Sequence, residues 1–217
     1  AVSGITADRL ARIGPTRDAI NVVPNGIDTE QVQTAPLPEE SYDVVFAGRL
    51  IEHKNVDMLL DAFDRVAAEH DAMLGIIGDG PERERLEEKR ESLTHADRVD
   101  MLGFLEEYEN VLGYMRAAEV FASPSTREGF GITFVEAMAA DCTVVAAAHP
   151  ESAAEEVIGD AGFCVDPSVD AVEATLRDAL QGNRPPINPV DRAQQYDWDA
   201  IADQAERAYQ RAITDAW

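Results

Sequence analysis

The stretch Tyr42-Asp-Val-Val-Phe-Ala-Gly48-Arg49-Leu50 predicts the first strand of the main domain and the loop that follows it. Residues 42–47 form a mostly apolar run with the length of a buried strand, and Gly48 ends it. Residues 55–69 then carry apolar side chains at helical spacing. The stretch therefore opens a strand–loop–helix unit.

This unit repeats along the rest of the chain. Strands are predicted at residues 42–47, 72–77, 98–102, 119–122, 143–147 and 162–165, and helices at 55–69, 81–92 with Pro81 first, 106–117, 131–140, 152–158, 168–181 and about 198 to 213. A short strand is also predicted at 20–24, a linker at 33–41 and a proline-rich break at 184–189. The alternation predicts an α/β fold, a doubly wound parallel sheet of the Rossmann-like type.

The charge of the chain limits its partners. Asp and Glu number 42 against 18 Lys and Arg, which gives a net charge of −24. No basic surface can form against such a field, so nucleic acid is not expected as a partner. The acids are spread along the whole chain, which favours a halophilic cytoplasm over a mesophilic protein with a basic partner.

Cysteines and apolar runs indicate the compartment. Cys142 and Cys164 lie beside apolar residues, and their number and spacing favour buried, reduced thiols over zinc ligands or a disulfide. No apolar run reaches about 18 residues, the length that spans a bilayer. The first residues show no basic-then-apolar leader. We therefore expect a cytoplasmic chain without a membrane span.

Two segments carry the chemistry. Glu128-Gly-Phe-Gly-Ile-Thr-Phe-Val-Glu136 places two glutamates around a Gly-x-Gly turn that opens a helix. Such a turn points backbone N–H groups at an anion, which the helix dipole also favours. Arg49 and Lys54 could neutralise a diphosphate, and the carboxylates could accept hydrogen bonds from sugar hydroxyls. Diphosphate and hydroxyls together describe a nucleotide sugar. The alternative interpretation is that these are solvated charges and a helix-start acid.

Six motifs in order carry a resemblance to a family. They are Asn25-Gly26-Ile27-Asp28, Ala47-Gly48-Arg49-Leu50 with Lys54, Ile77-Gly78-Asp79-Gly80-Pro81, Leu102-Gly103-Phe104, Pro124-Ser125 and Glu128-x7-Glu136-Ala-Met. From about residue 20 to its end, the chain resembles the C-terminal half of family-four retaining glycosyltransferases of the GT-B fold. The resemblance implies hexosyl transfer from a nucleotide sugar, with neither cofactor nor metal.

The resemblance also assigns roles to single residues. Arg49 and Lys54 would grip the diphosphate, Glu128 would lie beside the donor sugar, and Glu136 would bind the ribose hydroxyls. The phosphate loop would be Gly129, Phe130, Gly131, Ile132 and Thr133, acting through backbone N–H groups, with the Phe130 side chain in a packing role. Gly103, Phe104 and Leu105 would contact the base, mostly through the backbone.

Three positions and one loop depart from the family pattern, and one glutamate calls for a partner. Residues 147–157 lack the glycines that the family usually has near this loop. Asn55 and Asp141 stand where glycine is common, and Thr143 replaces a proline. Asn tolerates the left-handed backbone that glycine adopts. Glu136 lies on an otherwise apolar helix, where an unpaired carboxylate is costly, so a ligand or a basic neighbour is expected. His149 follows a strand, and a loop histidine is more often structural than catalytic.

The resemblance implies a domain organisation. Residues 1–19 would be the last strand and helix edge of an absent acceptor domain, 20–41 a hinge and linker, and 42–217 the nucleotide-sugar-binding domain with a crossover helix that ends at Trp217. Catalysis would need the absent half, so this chain is expected to bind donor weakly and not to transfer. Membrane contact would occur only through that half. A sugar-nucleotide epimerase and a non-catalytic binding subunit remain alternatives.

Overall fold

The computed structural model describes residues 1–215, and its centre is one parallel sheet of six strands. The strands are β1 (Val44–Ala47), β2 (Leu74–Ile77), β3 (Val99–Gly103), β4 (Val120–Ser123), β5 (Thr143–Ala147) and β6 (Gly162–Val165), in the spatial order β3-β2-β1-β4-β5-β6. All neighbouring pairs are parallel. The predicted doubly wound α/β fold is confirmed.

Ten α-helices connect and flank these strands within the described residues. They are α1 (Gly4–Ala11), α2 (Thr29–Thr34), α3 (Val56–Ala67), α4 (Arg83–Glu91), α5 (Tyr108–Ala117), α6 (Ile132–Ala139), α7 (Ala154–Ile158), α8 (Val169–Leu180), α9 (Pro189–Ala193) and α10 (Trp198–Asp215). None of the helices in residues 1–215 is both long and apolar enough to cross a membrane.

The apolar strands are explained by helices on both faces of the sheet. Val44 and Phe46 of β1 point to one hydrophobic cluster, which α3 and α8 complete with Phe63 and Leu176. Val45 and Ala47 point to the opposite cluster, which α5 and α6 cover. Since successive strand residues face opposite sides, a strand covered on both sides must be apolar throughout.

The strand order creates a crevice beside β1. The chain runs outward from β1 to β2 and β3, then returns to place β4 on the other side of β1, with Val44 opposite Val120. The connections after β1 and β4 therefore diverge at the carboxyl edge of the sheet. Ligands of such sheets bind at this reversal point. Arg49 follows β1 and Glu128 follows β4, so both motifs border the reversal point.

Several predicted elements need correction. The strand predicted at 20–24 is wrong, because the segment is extended but joins no sheet, and Val23 N–H instead donates to the Ala1 carbonyl. The linker at 33–41 begins with the end of α2, which starts earlier because the Asp28 carboxylate caps it. Pro81 precedes α4 rather than opening it. The break at 184–189 leads directly into α9, whose first residue is Pro189.

The first segment contains a helix instead of the expected strand. Residues 1–19 hold α1 and a short 3₁₀ turn at Arg17–Ala19, and no strand. Ser3 caps α1, and its hydroxyl also donates to the Gly129 carbonyl at 2.6 Å. The assignment of this segment to another domain stays a prediction. The predicted end of α10 at Trp217 lies outside the described residues.

Both cysteines are free thiols. Cys142 is fully buried, whereas Cys164 is only partly buried, which differs from the expectation of two buried thiols. Burial raises the pKa of each thiol to about 12. The thiols therefore stay protonated at neutral pH.

Candidate nucleotide-binding crevice

A cavity of about 430 Å³ opens at the carboxyl edge of the sheet. Its walls are the ends of β1 and β2, the loop after β3, the start of α5 and the first turn of α6. The lining residues are Ala47, Gly48, Arg49, Ile77, Gly78, Asp79, Phe104, Leu105, Glu106, Tyr108, Val111 and Thr133. Arg49, Phe104, Leu105 and Thr133 were all predicted as site residues, and the fold brings them together here.

A close backbone contact shapes the floor of the cavity. Gly78 has a φ of 137°, and a Cβ at this position would lie 1.8 Å from the Gly48 carbonyl oxygen. Only glycine permits both the backbone angle and the approach. Because Gly78 has no side chain, its backbone can lie against Gly48, and the floor of the cavity between the ends of β1 and β2 stays open.

The start of α6 presents unbonded N–H groups. Gly131 caps the helix in the left-handed region with a φ of 83°, and a Cβ there would lie 2.4 Å from the Phe134 ring. Within the described residues, the N–H groups of Gly131, Ile132 and Thr133 donate no hydrogen bond, and no side chain caps the helix. Free N–H groups at the positive end of a helix dipole form an anion site.

Hydrogen bonds tie the loop after β1 to the loop after β4. Asn55 adopts the left-handed backbone, as expected for an Asn in place of glycine, with a φ of 50°. Its amide donates to the Pro124 carbonyl at 2.9 Å, and Thr126 N–H donates to the His53 carbonyl at 2.9 Å. These bonds fix the two loops side by side, which brings Lys54 next to Glu128.

Lys54 and Glu128 form an ion pair. The Lys54 ammonium contacts the Glu128 carboxylate directly, and the two side chains are only 14% and 12% exposed. Neither residue lines the cavity itself. Sequence reasoning gave them separate partners, the diphosphate and the donor sugar, but without a ligand they neutralise each other. Their pairing keeps both charges without leaving a bare charge in a poorly hydrated place.

Arg49 has a different environment. Its side chain is exposed on the cavity wall, and it forms no ion pair with any residue from 1 to 215. A guanidinium presents a planar set of donors that matches phosphate oxygens. Arg49 can therefore contact an anion in the crevice without first breaking an ion pair, unlike Lys54.

Glu136 is buried against a tyrosine. The glutamate is 5% exposed, and the Tyr108 hydroxyl lies 2.7 Å from each of its carboxylate oxygens. Burial raises the pKa of Glu136 to about 7, although the hydrogen bond from Tyr108 lowers it in part. Burial and the neighbouring carboxylate raise the pKa of Tyr108 as well. Within residues 1–215 the partner is thus a neutral hydroxyl and not the basic neighbour that was one of the two expectations, and the expected ligand partner stays a prediction.

The remaining predicted residues divide into cavity and core. Gly103 turns the chain with a φ of 74°, and Phe104 stands 71% exposed on the cavity wall, with Leu105 beside it. Phe130 is buried, with its ring 5.5 Å from that of Tyr196, which confirms a packing role for its side chain. His149 accepts a hydrogen bond from the Glu151 N–H within a turn, which fits the structural interpretation.

Sequence reasoning missed Tyr108. It is the first residue of α5 and it lines the cavity. An aromatic residue at a helix start is usually a packing residue, so its type and position gave no signal. Its role appears only where α5 packs beside α6.

Comparison with known proteins agrees with the geometry. Residues 28–208 match the family described as glycosyl transferases group 1. The chain belongs to the group 1 glycosyltransferase family. The resemblance seen in the sequence motifs is thereby confirmed, and the fold is that of a C-terminal GT-B domain.

Two relatives illustrate how the group 1 domain relates to longer chains. The phosphatidyl-myo-inositol mannosyltransferase of Mycolicibacterium smegmatis is 33% identical over 205 residues, which cover 89% of this chain and 52% of the relative. The gpi3 subunit of the phosphatidylinositol N-acetylglucosaminyltransferase of Schizosaccharomyces pombe is 28% identical over 206 residues, covering 92% of this chain and 44% of the relative. The chain spans about half the length of the curated relatives it matches.

Solved structures show the same domain. The HepE protein of Anabaena in complex with UDP superposes with a TM-score of 0.82 at 22% identity, over 97% of this chain and 63% of that one. The C-terminal domain of the group 1 glycosyltransferase LpcC of Francisella tularensis superposes with a TM-score of 0.66 at 22% identity, over 80% of this chain and 100% of that one. At this identity the likeness concerns the fold.

Proposed function

We propose that this chain is the donor-binding half of a retaining glycosyltransferase that transfers a hexose from a nucleoside diphosphate sugar. The carrying observation is the free anion site in the crevice. The exposed cation of Arg49 and the unbonded N–H groups at the start of α6 border the sheet's reversal point. This arrangement suits a diphosphate, and the aromatic and aliphatic wall at Phe104 and Leu105 suits a base.

Names of relatives support a nucleotide sugar as donor. A mannosyltransferase of Mycobacterium tuberculosis, 31% identical over 186 residues, is described as GDP-mannose-dependent. HepE was solved with UDP and with UDP-glucose. These names differ in the base and share the nucleoside diphosphate, which is the group that the crevice is proposed to bind.

The proposed chemistry is stabilisation of a leaving group. Transfer breaks the bond between the anomeric carbon and the diphosphate, and negative charge develops on the departing oxygen. Arg49, Lys54 and the N–H groups at 131–133 would stabilise that charge in place of a divalent metal. Lys54 would exchange Glu128 for phosphate, which would free the Glu128 carboxylate to lie beside the donor sugar.

The acceptor side would come from a second Rossmann-like half. That half would close the cleft, select the acceptor and make any membrane contact. The isolated chain would then bind donor weakly and transfer nothing. A cytoplasmic location and a halophilic source fit the acidic composition and belong to the same proposal.

Calorimetric titration with UDP, GDP and ADP tests the proposal. The expected result is binding of at least one nucleoside diphosphate, with the matching nucleoside bound more weakly. The titration needs a salt concentration at which circular dichroism shows the protein folded. Absence of binding by all three, in folded protein, would refute the donor-binding function.

A further inference from the structure

Tyr108 joins the wall of the crevice to the buried glutamate of α6. Its ring lines the cavity beside Thr133, and its hydroxyl donates to the Glu136 carboxylate, 2.7 Å from each oxygen. The Glu136 carboxylate receives no other side-chain hydrogen bond within residues 1–215. A sugar hydroxyl would make the same kind of bond to Glu136. The Tyr108 hydroxyl and a ribose hydroxyl are therefore the same type of hydrogen-bond donor to this carboxylate.

We propose that Tyr108 is a positioning residue for Glu136: its hydroxyl holds the carboxylate and favours the ionised form, which binds the donor ribose more tightly than the protonated form. The inference rests on the proposed function, since it needs a nucleotide in the crevice. It adds a residue outside the glutamate motif and a dependence of ribose binding on pH.

The carboxylate has enough acceptor sites for both hydroxyl sources. An ionised carboxylate accepts hydrogen bonds at about four lone-pair sites on its two oxygens. The single Tyr108 hydroxyl lies equally far from both oxygens, so the outer sites of each oxygen remain for the two ribose hydroxyls. A protonated carboxyl group would present a donor at one of these sites, and it would accept hydrogen bonds more weakly at the others.

Within the part of the chain that the structure describes, no opposite charge pairs with Glu136. Helices α2, α5, α7 and α9 pack against α6, and their charged residues are Glu30, Glu109, Arg116, Glu155, Glu156, Asp191 and Arg192. Arg116 and Arg192 donate to the backbone carbonyls of Ala35 and Val157. The Glu156 carboxylate accepts from Gly4 N–H. Within the described residues no salt bridge reaches Glu136, so burial and one neutral hydroxyl decide its ionisation.

The expected pH dependence follows from this balance. Burial raises the pKa of Glu136 to about 7, and the Tyr108 hydrogen bond opposes that rise. Affinity for ribose should therefore increase as pH rises through about 7 and then level off. A phosphate group titrates near pH 6 and would blur this effect. The ratio between the affinities for a nucleoside diphosphate and its 2′,3′-dideoxy counterpart removes the phosphate contribution.

The test measures this ratio for UDP and GDP in wild type and in Tyr108→Phe. Loss of the hydroxyl should move the rise of the ratio about one pH unit higher, since a hydrogen bond to a charged group is worth about one pKa unit or more. Tyr108→Phe should then have a ratio about tenfold below wild type near pH 6, and within about twofold of it near pH 9. Glu136→Gln should give a low ratio that does not change with pH.

Tyr114→Phe is the matched control. Tyr114 lies on the same helix and packs its ring 5.9 Å from that of Tyr42, away from Glu136, and its variant should keep the wild-type ratio at every pH. A Tyr108→Phe ratio that rises at the wild-type pH, or a wild-type ratio that is flat with pH, would overturn the inference while nucleotide binding stands. Failure of wild type to bind either diphosphate would instead refute the donor-binding function itself.

Discussion

The two glutamates around α6 are balanced in different ways. Glu128, in the loop before the helix, pairs with the ammonium of Lys54. Glu136, within the helix, is buried with a neutral tyrosine hydroxyl. Both side chains are largely withdrawn from water, but only the first has a countercharge.

The segment from Glu128 to Glu136 therefore places its two glutamates in different electrostatic environments. The Lys54 ammonium gives Glu128 a countercharge in a poorly hydrated part of the fold. Glu136 has no countercharge within residues 1–215, and burial raises its pKa to about 7, so its charge varies with pH near neutrality. Four predictions test this comparison.

The largest effect is expected for turnover in the full-length protein. Glu128→Gln should lower kcat by about 100-fold with little change in donor KM, because a group beside the reacting sugar acts mainly in the transition state. Glu136→Gln should raise donor KM instead, since ribose is held in ground and transition states alike. Initial rates of nucleoside diphosphate release measure both. An unchanged kcat in Glu128→Gln would remove the distinction.

The free energy of unfolding should change in opposite directions in the Glu136→Gln and Glu128→Gln variants. The folded pKa of Glu136 is about 7 against an ordinary 4.5, so its charge costs stability increasingly from pH 4.5 to 7 and constantly above. Glu136→Gln should therefore stabilise the domain by about 2–3 kcal/mol near pH 8 and by almost nothing near pH 4.5. Glu128→Gln should destabilise it at pH 8, because Lys54 loses its partner. Urea denaturation near pH 4.5 and near pH 8 measures the free energy of unfolding of each variant. Equal changes in this free energy for both variants would contradict the comparison.

Arg49 and Lys54 should share a binding effect but differ in stability. Arg49→Ala and Lys54→Ala should each weaken diphosphate binding by about 1.5–3 kcal/mol, with nucleoside binding nearly unchanged. Arg49→Ala should leave stability within about 0.5 kcal/mol, because the side chain is exposed and unpaired within residues 1–215. Lys54→Ala should destabilise, since it leaves Glu128 unpaired. Calorimetry and thermal melts measure the two effects; equal losses for nucleoside and diphosphate would indicate a folding effect.

The smallest effect concerns salt. Repulsion within a net charge of −24 is screened over about 3 Å at 1 M salt and about 30 Å at 0.01 M, so the melting midpoint should rise by about 5 °C across this range. The coupling between Lys54 and Glu128, from a double-mutant cycle, should change little because a buried pair is weakly screened. A midpoint that stays flat or falls with KCl would remove the argument for a halophilic source.

The amino-acid sequence was enough to predict the sheet and the edge at which the candidate site lies. Apolar runs spaced by helical patterns predicted all six strands, because a strand covered on both faces must be apolar along its whole length. Motif order placed Arg49 and the glutamate loop at strand ends, and in a parallel sheet these share one edge. Short elements escaped prediction: α2 and α9 depend on single caps at Asp28 and Asn188.

The partners of the charged residues could not be predicted from the sequence, because they depend on how separate loops and helices pack together. Lys54 contacts Glu128 because hydrogen bonds to the Pro124 and His53 carbonyls join two loops that are far apart in sequence. Tyr108 contacts Glu136, which lies 28 residues later in the chain, because α5 packs against α6. Residue type and local periodicity describe the neighbours along an element, whereas the ionisation of a buried carboxylate depends on what packs against it from other elements.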